Sequence, residues 1–346
     1  MKQATILLLA LVWLQACKKG IDDTIPQVEG VYTVDEGLFN FGNADISFYN
    51  PETNEVTTGL FRKANGYNLG DVAQCLYVKD TLGFIVVNNS QKIELVSIPS
   101  FKSIRTIGIP GSSPRYIQPI NDHIAYVTEL YAKKIHVIDY QTGTVLQQIT
   151  SPTDWTEHII QMGDNLLIEG KELDASTTNN AGLVVLNTNS NSITNNIKLN
   201  AANTNGIVID KYSRVWVAKS ANTALSLAAK FYCLDASYSV VDSIVFSNGD
   251  KPNTITINKA GDRIYYLTDE GVKAVSIEDK APTLLILSNN RYFYGLSIDP
   301  KEEDIYVADV IDFVQPARTY RYSKDGTEKQ AFTTGVGTNN FVFSYE

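Results

Sequence analysis

One short pattern is written seven times along this chain, and it restricts the fold more than composition does. Its clearest copy runs from Lys134 to Ile149, KIHVIDYQTGTVLQQI. Ile135, Val137 and Asp139 alternate with His136, Ile138 and Tyr140. Gln141-Thr142-Gly143 then turns the chain and Val145 to Ile149 returns, which is the pattern of a β-hairpin. Gly143 suits the turn because glycine enters positive φ without a steric cost. ISFYNPETNEV from Ile46, IELVSIPSFKSI from Ile93, LVVLNTNSNSI from Leu183 and FYCLDASYSVV from Phe231 repeat the motif; AVSIEDKAP from Ala274 and TYRYSKDGTE from Thr319 are looser copies.

Ahead of each hairpin lies another apolar strand. Its matching positions are Tyr32, Ile85, Tyr126, Ile168, Trp216, Tyr265 and Tyr306, at intervals of 53, 41, 42, 48, 49 and 41 residues. A period in the forties with several strands per unit predicts β-propeller blades. A fourth strand precedes six of the units: VAQCLYV, RYIQPI, HIIQMG, GIVID, TITIN and GLSIDP. The first unit lacks one, and the C-terminal Asn340 to Tyr345 (NFVFSY) supplies a spare. The expected fold is all-β, a seven-bladed β-propeller closed by the C-terminal strand pairing into the first blade, which leaves no open sheet edge. No long amphipathic helix is legible. Thr223 to Lys230 fits one helical turn or a loop equally well, and the Asn/Thr-rich stretch between Glu169 and Gly182 reads as a long loop of the fourth blade.

The N-terminus is organised separately. Met1-Lys2, the apolar run Ile6 to Leu14 and Leu14-Gln15-Ala16-Cys17 together resemble a bacterial lipoprotein leader. They predict a signal peptide over 1–16, lipidation of Cys17, a tether over 17–27 and the propeller over 28–346. A multiply acylated Cys17 would anchor the chain lastingly to a membrane, outer-membrane and facing the cell surface or the periplasm. Cys75 and Cys233 lie three repeats apart in apolar strands and read as buried thiols rather than a disulfide. With a net charge of −9 and no Lys/Arg cluster, the chain lacks the basic face that nucleic-acid phosphates require.

In a propeller with this strand order, two sets of loops share one face: those leading into each first strand and those joining second to third strands. The first strands begin there with Asp71, Arg115, Glu157, Asn205, Asn253 and Tyr294, and the closing strand with Asn340. These seven are expected to ring the mouth of the central channel, where Asp71, Arg115 and Glu157 could equally satisfy one another without a ligand. The same loops carry Phe39, Phe41, Tyr67, Tyr131, Trp155, Tyr292 and Phe313. Large apolar groups on loops mark a recognition surface or pack beneath neighbouring loops. Asn65, Asn88, Asn89, Glu129, Asp309 and Asp312 are the polar companions that could orient a ligand. The turns of the opposite face, such as Asn50-Pro51-Glu52-Thr53 and Lys324-Asp325-Gly326, are short and polar.

Signals for catalysis are sparse. Of His123, His136 and His158 only His158 belongs near the mouth, so no zinc cluster or Ser-His-Asp set can be assembled. Gly42, Gly66 and Gly70 open no helix and form no phosphate loop; no cofactor is implied. Glu302-Glu303-Asp304 reads as a solvated turn. An enzyme reading would be a lactonase or lyase using Asp71, Glu157, His158 and Arg115 as acid, base and anion-holding groups. A structural envelope or adhesion protein is the third class.

Several strings resemble a known family. They are Asn65-Gly66, Leu69-Gly70-Asp71 with Gln74, Asn88 to Ile93 (NNSQKI), Ser113-Pro114-Arg115-Tyr116, Tyr126-Val127-Thr128, Phe293-Tyr294-Gly295 with Asp299-Pro300, and Tyr320-Arg321-Tyr322. In this order they resemble the YncE-like seven-bladed propeller lipoproteins of Bacteroidetes-type bacteria, over roughly Val28 to Phe343. The resemblance implies a small-molecule ligand held on one propeller face, cobalamin-like in one branch of that family. It also implies a TonB-dependent outer-membrane transporter as partner.

Overall fold

The computed structural model describes residues 29–173, 181–201, 203–222, 227–247 and 250–345. The leader, Cys17, the tether, residues 174–180 of the fourth-blade loop and residues 223–226 of the Thr223 to Lys230 stretch lie outside the described residues. Seven four-stranded antiparallel sheets form the molecule. The hairpin from Lys134 becomes the third and fourth strands of blade 3, Lys134–Asp139 and Thr144–Thr150, joined through Gly143 at φ 79°. Blade 1 is composite. Its innermost strand is Thr338–Ser344, which pairs antiparallel with Gly30–Asp35 so that Val31 faces Phe343 and Thr33 faces Phe341. The ring therefore closes as the spare strand requires.

The alternation of each strand buries one set of side chains against the preceding blade and the other against the following one. Seven apolar clusters result, one at each blade junction. The repeat positions Tyr32, Ile85, Tyr126, Ile168, Trp216, Tyr265 and Tyr306 are all buried in them. Trp216 packs with Phe231, Phe246 and Tyr266 between blades 5 and 6, and Tyr49, Tyr306, Phe332 and Phe341 fill the closing junction. Cys75 and Cys233 are free and buried, and burial raises both thiols, Cys75 to about 12 and Cys233 to about 11.

Two elements differ from expectation. A six-residue helix, Leu60–Asn65, sits in the loop between blades 1 and 2, with Gly59 and Gly66 in left-handed conformations at its two ends. Only Phe61 among its residues is buried, so it is too short for a periodic apolar stripe to announce it. Glu302-Glu303-Asp304 is not a solvated turn throughout. Asp304 immediately precedes the strand Ile305–Asp309; it is buried and accepts hydrogen bonds from Arg321 Nε at 2.6 Å and Lys329 Nζ at 2.7 Å. Among the described residues no helix is long and apolar enough to cross a membrane.

Candidate functional site at the channel mouth

Every innermost strand breaks its ladder at the same height, near its start. Ala73 pairs with Val87 and Cys75 with Val86, which leaves Gln74 out. The same slip leaves out Arg115 and Tyr116 in blade 3, Glu157 and His158 in blade 4, and Asn205 and Gly206 in blade 5. It leaves out Thr254 in blade 6, Tyr294 in blade 7 and Asn339 in the closing strand. A β-bulge re-aims the side chain of its extra residue. Repeated around the ring, it gathers these side chains about one central cavity of about 350 Å³, with Glu36, Lys171, Asn253 and Asn340 also in its wall.

The wall is highly charged on the side of blades 3 and 4. Arg115 donates Nε to Glu157 Oε2 at 3.0 Å and Nη2 to Glu157 Oε1 at 2.9 Å, and its Nη1 to Gln74 Oε1. Burial pushes the Glu157 carboxyl up, but Lys171 and Arg115 outweigh it and hold the group below its ordinary range. Glu169 behaves likewise: burial opposes its charge, and Lys171 and His158 hold it well below that range. His158 gives Nδ1 to Glu169 Oε2 at 2.6 Å and lies against the Tyr116 ring at 4.2 Å. Across the ring Glu36 accepts from Asn339 Nδ2 at 2.8 Å and from the Tyr294 hydroxyl at 3.1 Å. There burial dominates and raises the Glu36 carboxyl.

Of the seven expected mouth residues, Arg115, Glu157, Asn205, Asn253, Tyr294 and Asn340 line the cavity, and Asp71 does not. Asp71 instead accepts from the Asn40 backbone N–H at 2.9 Å and from Asn89 Nδ2, tying two loops together, and Gln74 takes its place at the channel. The strand begins only at Ala73, and the bulge at Gln74 lies three residues beyond Asp71, a shift that alternation does not reveal. The four residues of the enzyme reading are accordingly not one constellation: Arg115 and Glu157 are spent on each other, His158 is held by Glu169, and Asp71 is elsewhere. Among the described residues no group of three or more His, Cys, Asp and Glu is placed to hold a metal.

The polar companions are mostly struts. Asn65 Nδ2 donates to Phe61 O and Phe101 O, and its Oδ1 accepts from Ser103 N–H. Asn88 donates to Pro114 O at 2.9 Å. Glu129 accepts from Ser113 N–H at 2.7 Å and from buried His136 at 3.1 Å. Asp309 accepts from Tyr292 N–H, and Asp312 from Val314 N–H and Gln315 N–H. The aromatics are different. Phe39, Phe41, Tyr67, Tyr131 and Tyr292 stand out into solvent, from 49% exposed at Tyr67 to 69% at Phe41. Two chains of rings lead from them to the channel. Tyr131 meets Trp155 at 6.2 Å, and Trp155 Nε1 donates to Glu157 at 2.8 Å. Tyr292 meets Phe313 at 5.5 Å, and Phe313 meets Tyr294 at 4.9 Å.

Glu36, Gln74, Lys171 and Asn339 were not legible as site residues. A signal for Lys171 does exist in the repeat. Three residues after the matched aromatic or aliphatic position, the second strands carry Asp35, Asn88, Glu129, Lys171, Lys219, Thr268 and Asp309. All seven are polar. Six are buried, and Lys171 alone of them lines the cavity.

Comparison with solved structures returns propellers at low identity. A quinonprotein alcohol dehydrogenase-like protein from Bacteroides thetaiotaomicron superposes with a TM-score of 0.69 at 14% identity, over 92% of this chain and 78% of that one. Hydrazine synthase from Kuenenia stuttgartiensis gives 0.61 at 15% identity, over 75% of this chain and 85% of that one. A chain of a mitotic checkpoint complex gives 0.59 at 9% identity, over 96% and 89%. At these identities the likeness is one of fold. No curated protein sequence matches the chain. The model of one family, however, spans residues 29–334, the propeller from its first strand into the last strand of blade 7, and the chain thus belongs to the family described as Domain of unknown function, DUF5074.

Proposed function

We propose that the protein is a binding module whose working face is the one holding the channel mouth, and that it captures a ligand or docks a transporter there without catalysis. The observation that carries this reading is the asymmetry of exposed aromatics: among the described residues Phe39, Phe41, Tyr67, Tyr131 and Tyr292 stand on loops of that face, around a polar cavity, against Tyr212 on the turns of the other. Tyr67, Tyr131 and Tyr292 each meet a neighbouring ring, and rings held in this way lose less freedom on binding. The finer parts of the reading are supported by the sequence. The leader and Cys17 favour a lipid-anchored outer-membrane protein, and the YncE-like strings favour a TonB-dependent transporter as partner and a cobalamin-like ligand.

The test is a screen of cobalamins and other transported nutrients against the wild type and two triple variants. In one, Tyr67, Tyr131 and Trp155 become Ala; in the other, Glu52, Gln141 and Lys324 on the opposite face do. A buried aromatic anchor is worth on the order of 2 kcal/mol or more. The aromatic variant should therefore lose affinity about a hundredfold or more, at about 1.4 kcal/mol per tenfold, with its melting temperature intact. The opposite-face variant should bind as the wild type does; loss of binding in that variant alone would assign the work to the other face.

A further inference from the structure

Two charged groups in the cavity wall have hydrogen-bonding capacity that the described residues leave unused, and they stand on opposite sides of the ring. Lys171, in blade 4, has its ammonium 3.6 Å from Glu169 Oε1 and 3.8 Å from Glu157 Oε1. Both distances exceed hydrogen-bonding reach. The two carboxylates take their hydrogen bonds from other donors: Glu157 from Arg115 and Trp155, Glu169 from His158 and the Gly206 N–H. Among the described residues the Lys171 ammonium is held by those two ion pairs and by the Trp155 ring, 5.1 Å away, without a hydrogen bond. His158 beside it donates its Nδ1–H to Glu169, so in the neutral ring Nε2 is an acceptor and adds no second donor for an anion. Glu36 is the counterpart in blade 1. Asn339 and Tyr294 both donate to its Oε1, its Oε2 accepts no hydrogen bond among the described residues, and the nearby Arg115 guanidinium is taken by Glu157. In a ring of seven, blades 1 and 4 face each other across the channel.

Partly buried charges without full hydrogen bonding are costly, and charge-assisted hydrogen bonds are the strong ones. A molecule that supplied an acceptor anion to one pole and a donor cation to the other would satisfy both at once. We propose that the channel binds a small zwitterion, of the size of an amino acid or short peptide, with its ammonium on Glu36 and its carboxylate on Lys171. The cavity, about 350 Å³, lies in the range of small-molecule sites. The assignment rests on the reading that this face captures a ligand, and it adds the ligand's chemical class.

Calorimetric titration of the full chain with glycine, diglycine and triglycine, and with their N-acetyl and C-terminal amide forms, tests it. At least one free form should bind, and blocking either end should weaken it about tenfold or more, as expected for a lost hydrogen bond between charged groups. Lys171→Met should abolish the discrimination against the amide form, and Glu36→Gln that against the acetyl form. The comparison of free and blocked ligands on the wild type stands even if a variant fails to fold. Equal binding of free and blocked forms overturns the inference. If no free form binds while nutrient capture still falls with the Tyr67, Tyr131 and Trp155 substitutions, the zwitterion is overturned and the working face stands. If neither is seen, both are overturned.

Discussion

Asp35 is the residue at which local chemistry reaches furthest into the fold. It ends the second strand of blade 1 and accepts hydroxyl hydrogen bonds from Thr33 at 3.0 Å, Thr338 at 2.6 Å and Ser47 at 2.5 Å. Thr338 begins the closing strand, so this carboxyl ties the C-terminal end of the chain to the first blade. Burial outweighs the three donors and raises Asp35 from 3.8 to about 6. The folded protein therefore holds the Asp35 proton more tightly than the unfolded chain does. That contribution to stability is fully present below pH about 4 and is lost as pH rises through about 6, by an amount on the order of 3 kcal/mol. Asp35→Asn should remove the dependence. Urea unfolding of both proteins, compared from pH about 4 to about 7, should show the variant gaining on the wild type by that order. A constant difference across the range would mean that Asp35 is ionised in the fold at a normal pKa.

At the scale of the element, the closing strand and the bulged first strands do different work. The closing strand supplies Phe341 and Phe343 to the last junction, where both lie beside Tyr306. It also completes the only blade assembled from both ends of the described chain. Deleting Asn339 to Glu346 removes most of that strand, opens a sheet edge and uncovers the apolar junction with blade 7. The truncated protein should melt far below the wild type, well beyond what eight residues of an ordinary terminus would cost. An unchanged melting temperature would show that the ring closes without the strand. The bulges, in contrast, contribute little to the ladder and turn side chains into the channel. Whether a given first-strand residue faces the channel is decided by where the slip falls. That is why Gln74 lines the cavity, whereas Asp71, ahead of the strand, braces a loop.

For the whole molecule, the prediction concerns location. If Cys17 carries the acyl chains, they are the anchor, and Cys17→Ser should move the protein from the membrane fraction into the soluble fraction on sedimentation of cell lysates. Continued pelleting with membranes would remove the lipoprotein reading. The architecture itself was legible before any coordinates, because it is repetitive. Seven hairpins, a period in the forties and one spare terminal strand determine seven blades and a composite closure, since period-two alternation specifies which side chains each strand buries. The aromatic rim was legible for a similar reason, as large apolar residues at positions outside the strand pattern. The charged heart of the channel was not. Glu36 follows the end of one strand and Lys171 ends another, more than a hundred residues apart, and alternation says nothing about which of two polar neighbours a bulge will turn inward. Nor does the sequence tell which carboxylate a cation will pair with. Arg115 and Glu157 meet because adjacent blades bring successive bulges side by side, and Lys171 pairs with Glu157 and Glu169 without hydrogen-bonding them because both take their hydrogen bonds from other donors. Repetition encodes the ring; the contents of its centre depend on contacts between blades that only closure brings together.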